Sequence, residues 1–197
     1  MPLSAMMAGM MRDVLSTTLP DRIVLNQIRN EKRLNELGFY LPSARLSADG
    51  LNRTLRDLGY DVPRLSFHEL NGYLNGFIDL VFEHGGRYYI LDWKSNHLGN
   101  TACDYREDKL AEAMSANGYH LQYLLYSIAL DRYLARRVSD YRYDTHFGGV
   151  LYLFVRGVRP GWLDENGRAT GVFYERPTED AIRRLGNLFG SDSLEAA

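Results

Sequence analysis

The stretch Gly76-Phe-Ile-Asp-Leu-Val-Phe-Glu-His-Gly-Gly-Arg-Tyr-Tyr-Ile-Leu-Asp-Trp-Lys94 carries two apolar, β-branched and aromatic runs on either side of Gly85-Gly86. This pattern signals a β-hairpin closed by a two-residue turn. If Gly85 and Gly86 form that turn, His84 pairs with Arg87, and counting back along both strands sets Asp79 opposite Asp92. Side chains alternate faces along a strand, so Lys94 shares the face of Asp92. Directly opposed residues hold their Cβ atoms roughly 5 Å apart, and like charges so placed destabilise a sheet. Two carboxylates there call for something positive between them, and a hard divalent cation with a lysine beside it is the natural candidate. A longer loop would move Asp79 off the pair.

The flanking residues are apolar on both strands: Phe77, Ile78, Leu80, Val81 and Phe82 on one, Tyr89, Ile90, Leu91 and Trp93 on the other. Near-continuous hydrophobicity marks strands covered on both faces, as in a sheet sandwiched by helices. The fold class expected is therefore α/β, a central mixed sheet flanked by helices. Charged groups are rarely buried without a partner. The competing reading makes Asp92 and Lys94 a surface ion pair at a strand end, with Asp79 unrelated.

Working outward, Ala5 to Leu19 reads as a helix stopped by Pro20, and Asp21 to Arg29 as a second short helical stretch. Leu37 to Leu41 reads as a strand ended by Pro42. Leu51, Leu55 and Leu58 recur at helical spacing. Leu65 to Leu74 is strand-like and leads into the hairpin. Asp104 to Arg137 reads as helix, broken near Asn117-Gly118, with Leu121, Leu124, Leu125 and Ile128 on one apolar face of its second part. Gly149 to Val155 is a buried strand, Gly157 to Gly171 a surface loop, and Thr178 to Phe189 a terminal helix.

On the helix that follows the hairpin, Tyr119, Gln122 and Tyr126 fall at i, i+3 and i+7 and share one face. They serve either as an amphipathic cover for the sheet or as a polar wall beside the acidic pair. His68, His84, His97, His120 and His146 show no metal-ligand spacing, and only His120, next to Tyr119, bears watching.

The chain of 197 residues fits one domain with a sizeable core, and its composition of 45% hydrophobic, 24% charged and 12% aromatic residues is that of a globular protein. A net charge of −2 gives no global sign of a nucleic-acid partner. Positive charge clusters locally at Lys32/Arg33, at Arg53/Arg56, and at Arg132, Arg136 and Arg137, where a solvated helix face is the commoner explanation. One cysteine, Cys103, excludes an internal disulfide and Cys-based zinc ligation and suits a reducing cytoplasm. The Met-rich start lacks a basic n-region and is too short to span a bilayer, so no membrane partner is expected.

Asp79, Asp92-Trp93-Lys94 and Gln122-x-x-x-Tyr126, in that order, resemble the PD-(D/E)XK nucleases of the RecB exonuclease family. Further stretches match the C-terminal nuclease domain of that family: Gly76-Phe-Ile-Asp-Leu-Val-Phe, Arg87-Tyr-Tyr, Leu91-Asp, Lys94-Ser-Asn, Leu98-Gly99, Leu121-Gln-Tyr, His146-Phe-Gly-Gly-Val, Tyr152-Leu-Phe and Arg156-Gly-Val. The likeness is strong from about Phe39 to Gly157 and weak at the ends.

The resemblance implies a restriction-endonuclease-like core. In it Asp79, Asp92 and the Trp93 backbone carbonyl would bind Mg²⁺, with Mn²⁺ as a substitute. Lys94 would orient the attacking water and stabilise charge on the scissile phosphate, and Gln122 and Tyr126 would line the site. It further implies a cytoplasmic DNA exonuclease acting in double-strand-break repair, with the other subunits of a RecBCD-type helicase–nuclease as partners and a recombinase as a further one. The expected organisation is a single nuclease domain over 1–197: a helical arm at 1–36, a core at 37–157 and a C-terminal loop and helix at 158–197. The family carries one more metal-ligand histidine on an upstream helix, whereas residues 1–38 contain no histidine and no phosphate-binding helicase motif is present. The chain therefore reads as a C-terminal piece of a larger subunit. The alternative function is a catalytically weak or inactive module that binds partner subunits; a stand-alone structure-specific endonuclease is a third.

Overall fold

The computed structural model describes residues 3–190. Five strands form one mixed sheet in the order β1-β2-β3-β4-β5: β1 Arg33–Leu46, β2 Leu70–His84, β3 Arg87–Lys94, β4 Phe147–Phe154 and β5 Val172–Glu175. Only the β3–β4 pair is parallel. The hairpin forms as the sequence demands. Gly85 and Gly86 both take positive φ, 59° and 80°, so a two-residue turn with left-handed central residues closes it and His84 pairs with Arg87.

Helices cover both faces. On one side α1 (Leu3–Ser16) and three short 3₁₀ turns bring Val14, Leu19, Ile23 and Leu25 against Leu80, Phe82, Tyr89, Leu91, Leu151 and Leu153. On the other lie α2 (Ala48–Asp57), α3 (Glu107–Ala116), α4 (Tyr119–Arg137), the single turn α5 (Tyr143–His146) and α6 (Glu179–Gly186), which build the larger core around Phe39, Ile78, Ile90, Tyr123, Ile128 and Tyr152. Every residue of β4 is buried, as expected of a strand covered on both faces. Gly118, in the left-handed conformation with φ 66°, separates α3 from α4 where the break was expected. Thr178 caps α6 by accepting a hydrogen bond from the Ala181 N–H at 3.1 Å.

Three expectations need correction, and one strand was not foreseen. Asp21 to Arg29 is not a helix but part of the 3₁₀ turns Pro20–Arg22 and Leu25–Gln27, with Asp21 itself at φ 56°. β1 does not stop at Pro42 but runs through it to Leu46. The Pro42 carbonyl accepts from the Gly190 N–H at 2.9 Å, so this residue's backbone polar groups face away from β2, and an edge strand tolerates a proline there. Residues 65–69 are not strand; β2 begins at Leu70. β5, inside the stretch between the expected loop and the terminal helix, had no expectation at all.

The β1–β2 ribbon turns over midway. Asn35 lies opposite Leu80, which packs on the α1 side, whereas Leu37 lies opposite Ile78, which packs on the α4 side. Alternation alone would put these rungs on one face. The ladder skips Glu36 opposite Asp79, and Glu36 takes φ 53°. That left-handed residue is where the ribbon flips, and the flip positions the site.

Candidate active site

The β2–β3 ladder ends at Leu80–Leu91, one rung short of the acidic pair. Because β2 leaves β3 at this point, the Asp79 carboxylate takes over where backbone pairing stops: its Oδ2 accepts from the Trp93 N–H at 3.0 Å. Asp79 and Asp92 are thus the next positions of the expected register, but Asp79 is held in the plane of the sheet by Trp93 and does not simply face Asp92. Within a strand, the N–H and C=O of one residue point to the same side. The Lys94 carbonyl accepts from Val155 N–H on the β4 side at 3.0 Å, so the Trp93 carbonyl points toward β2, on the side of the N–H that Asp79 holds.

Asp92 is 3% exposed and Lys94 8%. Lys94 Nζ lies 2.6 Å from Asp92 Oδ2 and donates to Gln122 Oε1 at 2.9 Å. The ammonium also sits over the Tyr119 ring, 3.9 Å from its centroid, and 4.9 Å from that of Tyr152. A desolvated cation over an aromatic face gains about 2 kcal/mol, which helps offset burial. This is no surface ion pair, and the competing reading of the strand end fails on burial alone.

Helix α4 supplies the wall. Gln122 Oε1 accepts from both Lys94 and Tyr152 OH (3.0 Å), while its Nε2 donates to Tyr126 OH at 2.9 Å. The ammonium can only donate, so the amide oxygen must face it and the side chain is fixed in one orientation. The structure therefore brings together all five expected side chains, Asp79, Asp92, Lys94, Gln122 and Tyr126. Tyr119 belongs with them, its OH donating to Asn96 Oδ1 at 3.3 Å.

Burial pushes the Asp92 carboxyl above its usual range; the Lys94 hydrogen bond and charge oppose this, and the Asp79 charge adds to it. Burial likewise drives the Tyr126 hydroxyl up to about 12, and the Asp92 and Asp79 charges work in the same direction. Tyr126 is therefore a neutral hydrogen-bonding group near both carboxylates at physiological pH.

Sequence reasoning passed over Tyr152 as a site residue. It pairs with Asp92 in the parallel ladder and is fully buried. The signal was available: it is the only residue with a polar tip in the run Phe147–Phe154. His120 stands apart, with ring nitrogens near Ser115 Oγ (3.3 Å) and Tyr123 OH (3.2 Å) and its ring against Phe173. Among the described residues no cluster of three or more His, Cys, Asp or Glu side chains forms.

Does this donor set suit a divalent cation? Two carboxylates on adjoining strands and a carbonyl on the same side form a hard oxygen set. Mg²⁺ typically takes one or two carboxylates and keeps several waters. Burial, with a smaller contribution from the Asp79 charge, raises the Asp92 carboxyl above its usual range, and a cation bound there would favour the charged form. The residues fit.

A strand pair that parts beside an Asp, an Asp-x-Lys on the next strand and a Gln-x-x-x-Tyr helix behind them define a nuclease-type core. The chain belongs to the PD-(D/E)XK nuclease superfamily, whose family model matches residues 10–188. It is similar to the RecB subunit of the RecBCD enzyme from Escherichia coli K12, with 43% identity over 179 residues, 89% of this chain and 15% of the relative. The RecB subunit of Haemophilus influenzae is 40% identical over 171 residues, covering 85% of the chain and 14% of the relative. That of Mycolicibacterium smegmatis is 37% identical over 211 residues, 93% of the chain and 19% of the relative. The chain thus spans less than a fifth of the length of these relatives. Among the described residues no helix is long and apolar enough to cross a membrane.

Proposed function

We propose that this chain is a metal-dependent deoxyribonuclease domain that hydrolyses DNA phosphodiester bonds from strand ends, within a RecBCD-type helicase–nuclease engaged in double-strand-break repair. The observation that carries the reading is the buried Lys94 ammonium, fixed between Asp92 and Gln122 at one edge of the Asp79–Trp93 junction. A phosphodiester resists attack because it is anionic, so hydrolysis needs positive charge beside the phosphorus and an activated water.

Asp79, Asp92 and the Trp93 carbonyl would hold Mg²⁺, or Mn²⁺ in its place. The bound cation would supply charge neutralisation and a water of lowered pKa. Lys94, held by Asp92 and Gln122, would present a fixed cation to the non-bridging phosphate oxygens. Gln122 locks that ammonium and the Tyr126 hydroxyl in register, while the Tyr119 and Tyr152 rings exclude water from it. The relatives' names point to assembly with RecBCD-type subunits and carry no support for a recombinase partner.

One observation favours a second reading: only two carboxylates meet at the site, and no third charged ligand joins them among the described residues. On that reading the domain binds partner subunits and cleaves weakly. Titrating Mg²⁺ and Mn²⁺ against fluorescently labelled single-stranded DNA separates the two. Metal-dependent cleavage that disappears in Asp92→Ala supports the nuclease, and equal cleavage by both proteins excludes it.

A further inference from the structure

Beyond Asp79, the outer half of the β1–β2 ribbon has two unlike faces. Leu37, Phe39, Leu41, Leu74 and Ile78 point inward and pack on the α4-side core. Three successive rungs face outward, pairing Gly38 with Phe77, Tyr40 with Asn75, and Pro42 with Tyr73. Each rung carries one aromatic ring against a small, polar or flat partner. The rings are open: Phe77 is 66% exposed, Tyr73 65% and Tyr40 39%. A Cβ on Gly38 would come within 3.4 Å of the Phe77 ring, so glycine lets that ring rest on the ribbon while much of it remains in solvent. Contiguous exposed aromatic surface of this kind marks a binding face.

What it binds follows from position and spacing. Phe77 precedes Asp79 by two residues, about 7 Å along the strand, so the row of rings begins beside the first carboxylate of the site. Rungs on one face repeat at about 6.8 Å, twice the 3.4 Å per nucleotide of a stacked duplex strand. A base-paired duplex cannot insert its closed stack between rings so spaced. A single strand with splayed bases can lay one base on each ring, and every base has a π-face to offer. We propose that Phe77, Tyr40 and Tyr73 form a stacking platform for single-stranded DNA, feeding the strand toward Asp79 and Asp92. This rests on the nuclease reading for its direction, but the platform makes a separate claim: it recognises bases, not phosphates.

The test compares two fluorescein-labelled probes in EDTA, where no cleavage occurs: an oligothymidylate of about twenty nucleotides and an abasic strand of equal length. Anisotropy titration of the 197-residue chain should show the base-bearing strand bound about 10-fold or more tighter than the abasic one. Phe77→Leu/Tyr73→Leu, which keeps apolar bulk on the ribbon but removes the π-faces, should erase that preference, and Phe77→Tyr/Tyr73→Phe should restore it. Thermal melting checks that both variants are folded. Asp92→Asn should keep the preference while losing metal-dependent cleavage. A wild-type chain that binds both strands equally, or a folded Leu variant that keeps the preference, overturns the platform and leaves the exposed rings to a protein partner. Loss of cleavage activity in the wild type with the preference intact would sink the nuclease reading instead.

Discussion

Lys94 and Arg132 are two cations held along α4, the first buried and reaching the helix from β3, the second half-buried and rooted in it. Arg132 spends its donors on backbone carbonyls, those of Gly186 (2.9 Å), Phe189 (3.3 Å) and Gly190 (2.9 Å), at and beyond the C-terminus of α6. Gly186 ends α6 and Phe189 and Gly190 follow it, so the guanidinium ties the helix end to the segment beyond it and meets the negative end of the helix dipole. Nothing in that arrangement is free to change. Lys94 instead bonds to a carboxylate and an amide side chain, over two aromatic rings, and its carboxylate is already crowded by a second negative charge. The lesson is that burial alone does not mark a functional cation. The partner set does: backbone acceptors mean a clamp, side chains of unbalanced charge mean a site.

The largest effect expected is at the carboxylates. Asp92→Ala and Asp79→Ala should each reduce metal-dependent cleavage to background and abolish the rise in melting temperature that Mg²⁺ gives by binding only the folded form. Without metal, Asp92→Ala should melt earlier than the wild type because it leaves the Lys94 ammonium buried without its counter-ion, and Asp79→Ala should lose less because it strands only the Trp93 N–H. Calorimetry with and without Mg²⁺ checks this, and a wild-type metal response in both variants would dissolve the contrast with Arg132.

Lys94→Ala comes next. Losing one preorganised stabiliser of transition-state charge typically costs about 10²–10³ in rate. The variant also leaves Asp92 buried without its counter-ion, so the metal-free protein should melt earlier while the Mg²⁺-induced rise grows. Single-turnover cleavage and paired melting curves read both. A folded variant that cleaves at the wild-type rate would make Lys94 a clamp of the Arg132 kind.

Arg132→Ala should do the reverse. Charge-assisted hydrogen bonds contribute about 1.5–3 kcal/mol, and truncation removes those to the carbonyls of Gly186, Phe189 and Gly190. Denaturant unfolding should show a loss on the order of 2 kcal/mol with an unchanged slope, whereas cleavage per folded molecule should stay at the wild-type level.

How much of this was legible beforehand follows the range of the interactions. The hairpin, its register and the Gln122/Tyr126 face were readable because they depend on neighbours in sequence: two glycines that accept positive φ, and a 3.6-residue period. Arg132 was visible as charge but not as a clamp, because its acceptors lie 54 to 58 residues away. The flip at Glu36 was hidden for another reason. Glutamate carries no preference for φ 53°, so the conformation is imposed by the two cores on opposite sides of the sheet. That flip is what lets Asp79 reach the Trp93 N–H, so the sequence showed which residues meet but not how the first aspartate gets there. β1 beyond Pro42 was lost because edge position, which makes the proline harmless, is a property of the finished sheet.

The smallest effect concerns another polar group on α4, His120. His120 lies one residue from Tyr119, yet its ring sits between Ser115, Tyr123 and Phe173, outside the Lys94 network. Burial lowers its pKa below the ordinary value, with the Asp61 charge opposing, so the folded protein holds a neutral imidazole. One ring nitrogen can then donate and the other accept, which matches its two hydroxyl neighbours. The sign follows: in the window between the lowered folded value and the unfolded value near 6.5, the unfolded chain binds more protons, so this group's contribution falls as pH drops through that window. His120→Gln should therefore flatten the fall in melting temperature on acidification from about pH 7 to pH 5. The pH dependence of cleavage per folded molecule should not move. A cleavage profile that shifts with this substitution would place His120 among the functional groups of α4 and redraw the boundary between clamp and site.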